Sequence, residues 1–164
     1  EDERDHARDA AASASSQAPG CPPANAINGV TRRTAEGSNM WASAPEAGLP
    51  QWLELRFPKP RPLSQIRLAF DTELSRLLAI TYYEEIEDQF RGGIRAPQPE
   101  TVRDYDLSVR RNGRWHKAQE IRGNFQRLCI HDIPPQMAEA VRVDVWATNG
   151  IPEARLFEMR CYGP

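Results

Sequence analysis

Apolar and polar residues alternate with a period of two in five stretches of the chain. Leu53, Leu55 and Phe57 point one way, and Glu54 and Arg56 the other. Ile66, Leu68 and Phe70 repeat the pattern. Tyr105, Leu107 and Val109 alternate with Asp104, Asp106 and Arg110. Val141, Val143 and Val145 alternate with Arg142 and Asp144, and Phe157, Met159 and Cys161 close the set. Such alternation is the mark of strands buried on one face only. Strands of this kind between Pro- and Gly-rich joints predict an all-β antiparallel sandwich. No long amphipathic helix is evident.

Turn chemistry refines the pattern. Asn112-Gly113 joins Tyr105–Arg111 to Trp115–Ile121 as a hairpin, because this dipeptide accepts the positive φ values of a tight turn. Pro58-Lys59-Pro60-Arg61-Pro62 lacks three backbone donors and reads as a break rather than a central strand. Pro134-Pro135 reads as the end of a strand at Arg127–Ile133. Pro22 to Ile27 reads as one helical turn, with proline at its start and Gly29 after its end. Asp71 to Arg103 is a long loop containing Tyr82-Tyr83 and Arg91-Gly92-Gly93, and long loops in compact domains tend to carry function.

In order, Asn25-Ala26-Ile27-Asn28-Gly29, Met40-Trp41-Ala42-Ser43, Gln51-Trp52-Leu53-Glu54-Leu55-Arg56-Phe57 and Ala154 to Tyr162 resemble a discoidin-like domain. That group includes coagulation-factor C domains and bacterial carbohydrate-binding modules. The resemblance implies a galactose-binding-like jelly roll over residues 11–164. Phe70 to Arg76, with Asn28-Gly29 and Phe157 to Arg160, is also similar to domains appended to bacterial FAD-dependent oxidoreductases. The resemblance further implies a structural calcium (Ca2+), with Asn28 where the family has Asp and Glu158 on the last strand. Calcium takes six to eight oxygen ligands. The other reading is that Asn28 caps a turn and Glu158 pairs with Arg32 or Arg33.

Charge and composition narrow the partners. A net charge of −2 argues against nucleic acid, which would require a basic surface. No apolar run of about 18 residues exists to span a membrane as a helix. The charged opening, residues 1–10, reads as a linker from a larger protein. The three cysteines show no metal-ligand spacing, and Cys129 and Cys161 are expected as free buried thiols. No nucleophile or phosphate-loop motif is present, so the chain reads as a binding module rather than an enzyme.

Sugars are held by aromatic rings against their C–H faces and by Arg, Asn and carboxylates forking to hydroxyls. The candidate polar groups are Arg32, Arg33, Asn39, Asp71, Glu73, Arg76, Arg91 and Asn124. The candidate platforms are Tyr82, Tyr83, Phe125 and Trp146. Trp146 either stands exposed for a ligand or packs under the Asn149-Gly150 loop. Trp41 and Trp52 read as core or shell, and Trp115 as hairpin packing. The expectation is a non-catalytic module that targets a secreted or periplasmic bacterial enzyme to a polysaccharide, with the arginines favouring an acidic one. The alternative is a structural module packed on its own parent catalytic domain.

Overall fold

The structure, a computed structural model, describes residues 2–74 and 97–164. Among these residues there are seven strands: β1 (Ala11–Ala14), β2 (Trp41–Ala42), β3 (Gln51–Phe70), β4 (Val102–Arg111), β5 (Arg114–Ile121), β6 (Leu128–Thr148) and β7 (Arg155–Tyr162). Every pairing is antiparallel. The strands form one hydrogen-bonded path, β2-β7-β3-β6-β4-β5, with β1 added to β3.

Two layers arise because β3 and β6 pair along their lengths and turn a corner together. The first half of β3 lies between β1 and the second half of β6, and β4 and β5 extend this larger layer. The second half of β3 lies between β7 and the first half of β6, and β2 borders β7. Register is broken between Arg56 and Arg61 and between Leu63 and Gln65. Pro58, Pro60 and Pro62 sit at this bend on β3, and Pro134 and Pro135 on β6. Proline keeps an extended φ but gives no N–H, so the chain stays strand-like while the ladder lapses. The proline runs therefore bend strands that sequence alone reads as ending.

Between the layers lies one core. Leu53, Leu55, Tyr105, Leu107 and Val143 from the larger layer meet Ile66, Leu68, Phe70, Met159 and Cys161 from the smaller, all fully buried. The Phe70 and Tyr105 rings meet edge to face at 5.1 Å across the gap. Tyr105 Oη is 3.0 Å from His131 Nε2, and His131 Nδ1 is 2.7 Å from Gln119 Oε1. Gln119 also donates its amide N–H to the Asp132 carbonyl at 2.9 Å, so its oxygen faces Nδ1 as the acceptor. Burial lowers the His131 pKa below its ordinary 6.5.

The predicted hairpin is present: Asn112 and Gly113 have φ of 50° and 73°, both positive as a type I′ turn requires. The helical turn is a 3-10 helix, Pro23–Ile27. Cys21, Cys129 and Cys161 are free and buried, and burial pushes the Cys161 thiol well up. The opening segment departs from its reading as a linker. A 3-10 helix, His6–Asp9, buries Ala7 completely. Asp5 caps that helix and accepts the Cys161 N–H at 2.8 Å. Charged side chains face outward there while Ala7 and Ala10 enter the core, a pattern too short to stand out among the charges.

Candidate functional site

One end of the sandwich gathers the 30s loop, the end of β3, the loop before β6 and the start of β7. A small polar network first fixes this end. The Asn124 amide donates to the Val102 and Gln126 carbonyls at 2.7 and 3.1 Å, and its oxygen accepts the Gln126 N–H. Asn149 donates to the carbonyls of Thr101 and Asn124. Thr101 donates its hydroxyl to the Asp71 carbonyl at 3.1 Å. Asn124, expected to face a ligand, thus spends its amide on holding loops.

At the centre lies Asp71, whose side chain is only 2% exposed. It accepts from Arg33 and from Arg155, both at 3.2 Å, and from the Glu73 N–H at 2.8 Å. Glu73 takes a second contact from Arg33 at 2.8 Å. Its φ of 48° is rare for a residue with a Cβ, and the Asp71–Glu73 turn holds it there. Arg155 also forks to Glu153. Burial opposes the Arg155 charge, but Glu153 and Asp71 more than offset it and raise its pKa.

Arg127 closes the back of the site. It donates to the carbonyls of Phe70 and Thr31, and so ties the 30s loop to β3. Its guanidinium lies 5.0 Å from the Phe157 ring centroid. Burial lowers its pKa, opposed by the charge of Asp71. Together Arg32, Arg33, Asp71, Glu73, Leu74 and Arg127 line a cavity of about 290 Å3 above Phe157. Arg33 is half-exposed and paired. Arg32 is exposed, and its guanidinium has no hydrogen-bond or ion-pair partner among the described residues.

Four expected residues, Arg32, Arg33, Asp71 and Glu73, therefore meet in one place. Asn39 lies under them, donating to Thr34 and to the carbonyls of Arg32 and Gly37. Its amide N–H groups shape the 30s loop. Phe125 is 64% exposed in the loop leading to Arg127. Trp146 is on the outward face of the larger layer, away from this cavity. Arg76, Tyr82, Tyr83 and Arg91 lie outside the described residues. Arg127, Arg155, Glu153 and Phe157 were absent from the sequence expectation, because their roles come from contacts between distant segments.

Asn28 and Glu158 do line one cavity, of about 400 Å3, with Asp2, Asp5, Arg8 and Arg160. Asn28 Oδ1 accepts the Val30 N–H and its amide donates to Asn39. Glu158 is bonded to Arg160 at 2.7 Å, rather than to Arg32 or Arg33. A guanidinium thus stands where the ion would meet its carboxylate. Among the described residues no group of three His, Cys, Asp or Glu side chains could hold a metal. This donor set does not fit calcium as arranged.

No family model and no curated protein matches the chain. Solved structures do. The family 32 carbohydrate-binding module of C. perfringens NanJ, in complex with galactose, aligns with a TM-score of 0.71 at 18% identity, over 97% of this chain and 98% of that one. The family 32 module of Streptococcus pneumoniae EndoD gives 0.70 at 20% identity, over 98% and 99%. The lectin domain of lectinolysin, complexed with Lewis B antigen, gives 0.71 at 14% identity, over 100% and 99%. Along nearly its whole length the chain has the discoidin-like, galactose-binding-type β-sandwich fold of these modules.

Proposed function

We propose that the domain is a non-catalytic carbohydrate-binding module whose loop-end cavity grips an acidic polysaccharide. The observation that carries this reading is Arg32, an exposed guanidinium without a partner among the described residues, at the rim of a cavity whose other charged groups are all bonded to one another or to backbone. A guanidinium forks to a carboxylate in two parallel hydrogen bonds. A uronate or pyruvate group on a sugar supplies such a carboxylate. Arg33, held from behind by Asp71 and Glu73, is pre-set to donate to neighbouring hydroxyls without first losing conformational freedom. Asp71, Glu73 and Glu153 are each bonded to a guanidinium, so none is placed as a free general acid or base, which supports binding over catalysis.

The fold supports the same class, since its solved neighbours include modules seen with galactose and with Lewis B antigen. In this reading the module serves a larger, secreted or periplasmic bacterial enzyme by raising its effective concentration at a polymer. Among the described residues no helix is long and apolar enough to cross a membrane. The rival is a module that docks on its parent catalytic domain. Leu74, 68% exposed at the cavity rim, is the observation that favours it.

Affinity electrophoresis in gels containing polygalacturonate or alginate separates the two. The proposal expects retardation that weakens as salt rises and an affinity about tenfold lower for Arg32→Ala, in line with the value of a charge-assisted contact. A folded chain that no acidic polymer retards, or retardation that Arg32→Ala leaves unchanged, overturns it.

A further inference from the structure

Of the four tryptophans, only Trp41 is in the core; Trp52, Trp115 and Trp146 stand on the outward face of the larger layer. Trp115 and Trp146 are 37% and 47% exposed. The register sets them around one carboxylate. Asp144 on β6 lies beside Trp52 on β3 and beside Asp106 on β4. Two positions along β6 on either side of it come Arg142 and Trp146.

The Trp52 and Trp115 rings are held, not loose. The Arg142 guanidinium is 4.5 Å from the Trp52 ring centroid and 4.8 Å from that of Trp115, a cation between two indoles. It also donates to Glu54 at 2.8 Å. Asp106 receives Lys117 at 2.8 Å and Arg122 at 2.9 Å. Asp144, by contrast, has no hydrogen bond or ion pair among the described residues, although it is half-buried. Burial raises its pKa, opposed by Arg142. Like charges directly opposite each other on neighbouring strands destabilise a sheet, so stability alone favours an uncharged residue here. An unused acceptor framed by exposed indoles is what a sugar ring fits, with its C–H face on the aromatic and its hydroxyls donating to the carboxylate.

We propose that this face is a second carbohydrate-binding surface, separate from the loop-end cavity, for a neutral and extended polysaccharide. One pyranose stacks on Trp146 and donates hydroxyls to Asp144, and a further sugar along the chain meets Trp115. Asp144, Asp106 and Glu54 disfavour a polyanion at this face. The nearby outward positions Glu54, Ser108 and Lys117 are polar, so a docking protein would have little but the indoles to bury. A sheet face is open at both edges, so a polymer passes across it without needing a free end.

The test is affinity electrophoresis of the full chain in gels of hydroxyethyl cellulose, xyloglucan or galactan. The expected result is retardation in at least one, insensitive to salt, and about tenfold weaker for Trp146→Ala and for the isosteric Asp144→Asn, the scale of a lost anchor residue. Tryptophan emission is expected to shift to the blue on binding in the wild type and not in Trp146→Ala. Arg32→Ala should leave all of this unchanged. Absence of retardation in all three polymers by a chain that circular dichroism shows folded overturns the proposal, as does equal retardation of wild type and Trp146→Ala. If Arg32→Ala alone abolishes retardation, the neutral polymer sits in the loop-end cavity; this second surface then falls while carbohydrate binding stands.

Discussion

The loop end and the tryptophan face solve the same problem with opposite means. At the loop end, guanidinia and carboxylates cancel one another around Asp71, and the group left over is a cation, Arg32. On the outer face, Arg142 and Asp106 are each bonded to a group of opposite charge, and the carboxylate without a partner among the described residues is Asp144. One region is built of loops tied by side chains, the other of strands tied by register. The difference shows how a neutral-looking chain presents two regions of opposite local charge: the net charge of −2 describes neither of them.

The harshest way to break the comparison is Asp71→Ala. It removes the anchor of both Arg33 and Arg155 from a buried position, and breaking such a network costs about 3 kcal/mol. Denaturant unfolding measures that loss, and binding of acidic polymer is expected to vanish while neutral polymer is still bound. Arg142→Met strikes the other region. It takes from Glu54, 5% exposed, one of its two guanidinia, leaving Arg56, and releases Trp115, at about 2 kcal/mol. The same unfolding experiment and a red shift of tryptophan emission report it, with acidic-polymer binding intact.

Smaller effects sharpen the contrast. Arg32→Ala is expected to change stability by less than about 0.5 kcal/mol, since the side chain is exposed and without a partner among the described residues, while it weakens acidic-polymer binding. His131, between the layers, belongs to neither surface. Its folded pKa is depressed, so the unfolded chain binds the proton more readily. Its contribution to stability is complete above its ordinary value of 6.5 and is lost as pH falls below it toward the folded value. Thermal unfolding across that range should show the decline, flattened in His131→Gln. Calcium or chelator is expected to leave the melting temperature unchanged, because Arg160 already holds Glu158.

Much of this fold was legible in the sequence, because alternation is a local signal. The runs at Leu53–Phe57, Tyr105–Val109 and Val141–Val145 place their apolar members in the core, and the same parity puts Trp146 outside. The corners were not legible as corners. Pro58–Pro62 and Pro134-Pro135 read as ends because only the pairing partner shows that the strand resumes beyond them. At the candidate site, Arg32, Arg33, Asp71 and Glu73 come together around one cavity, while Asn124 and Asn39 spend their amides on loop backbone and a threonine. An Asn at a loop bonds backbone as readily as ligand, and only the carbonyls around it decide which. Arg127 and Arg155 carried no local sign of the site, since the groups that place them there, the Thr31 carbonyl and the Asp71 carboxylate, lie dozens of residues away. Asp144 was visible as a polar position, but its isolation depends on three strands at once.

The most direct test of the central claim is chemical-shift mapping of the isotope-labelled chain titrated with oligogalacturonate. Saturable shifts centred on Arg32, Arg33, Glu73 and Arg127 are expected, with the amides around Asp144 and Trp146 unmoved. Shifts absent from the loop end, or centred on the tryptophan face, would contradict that claim.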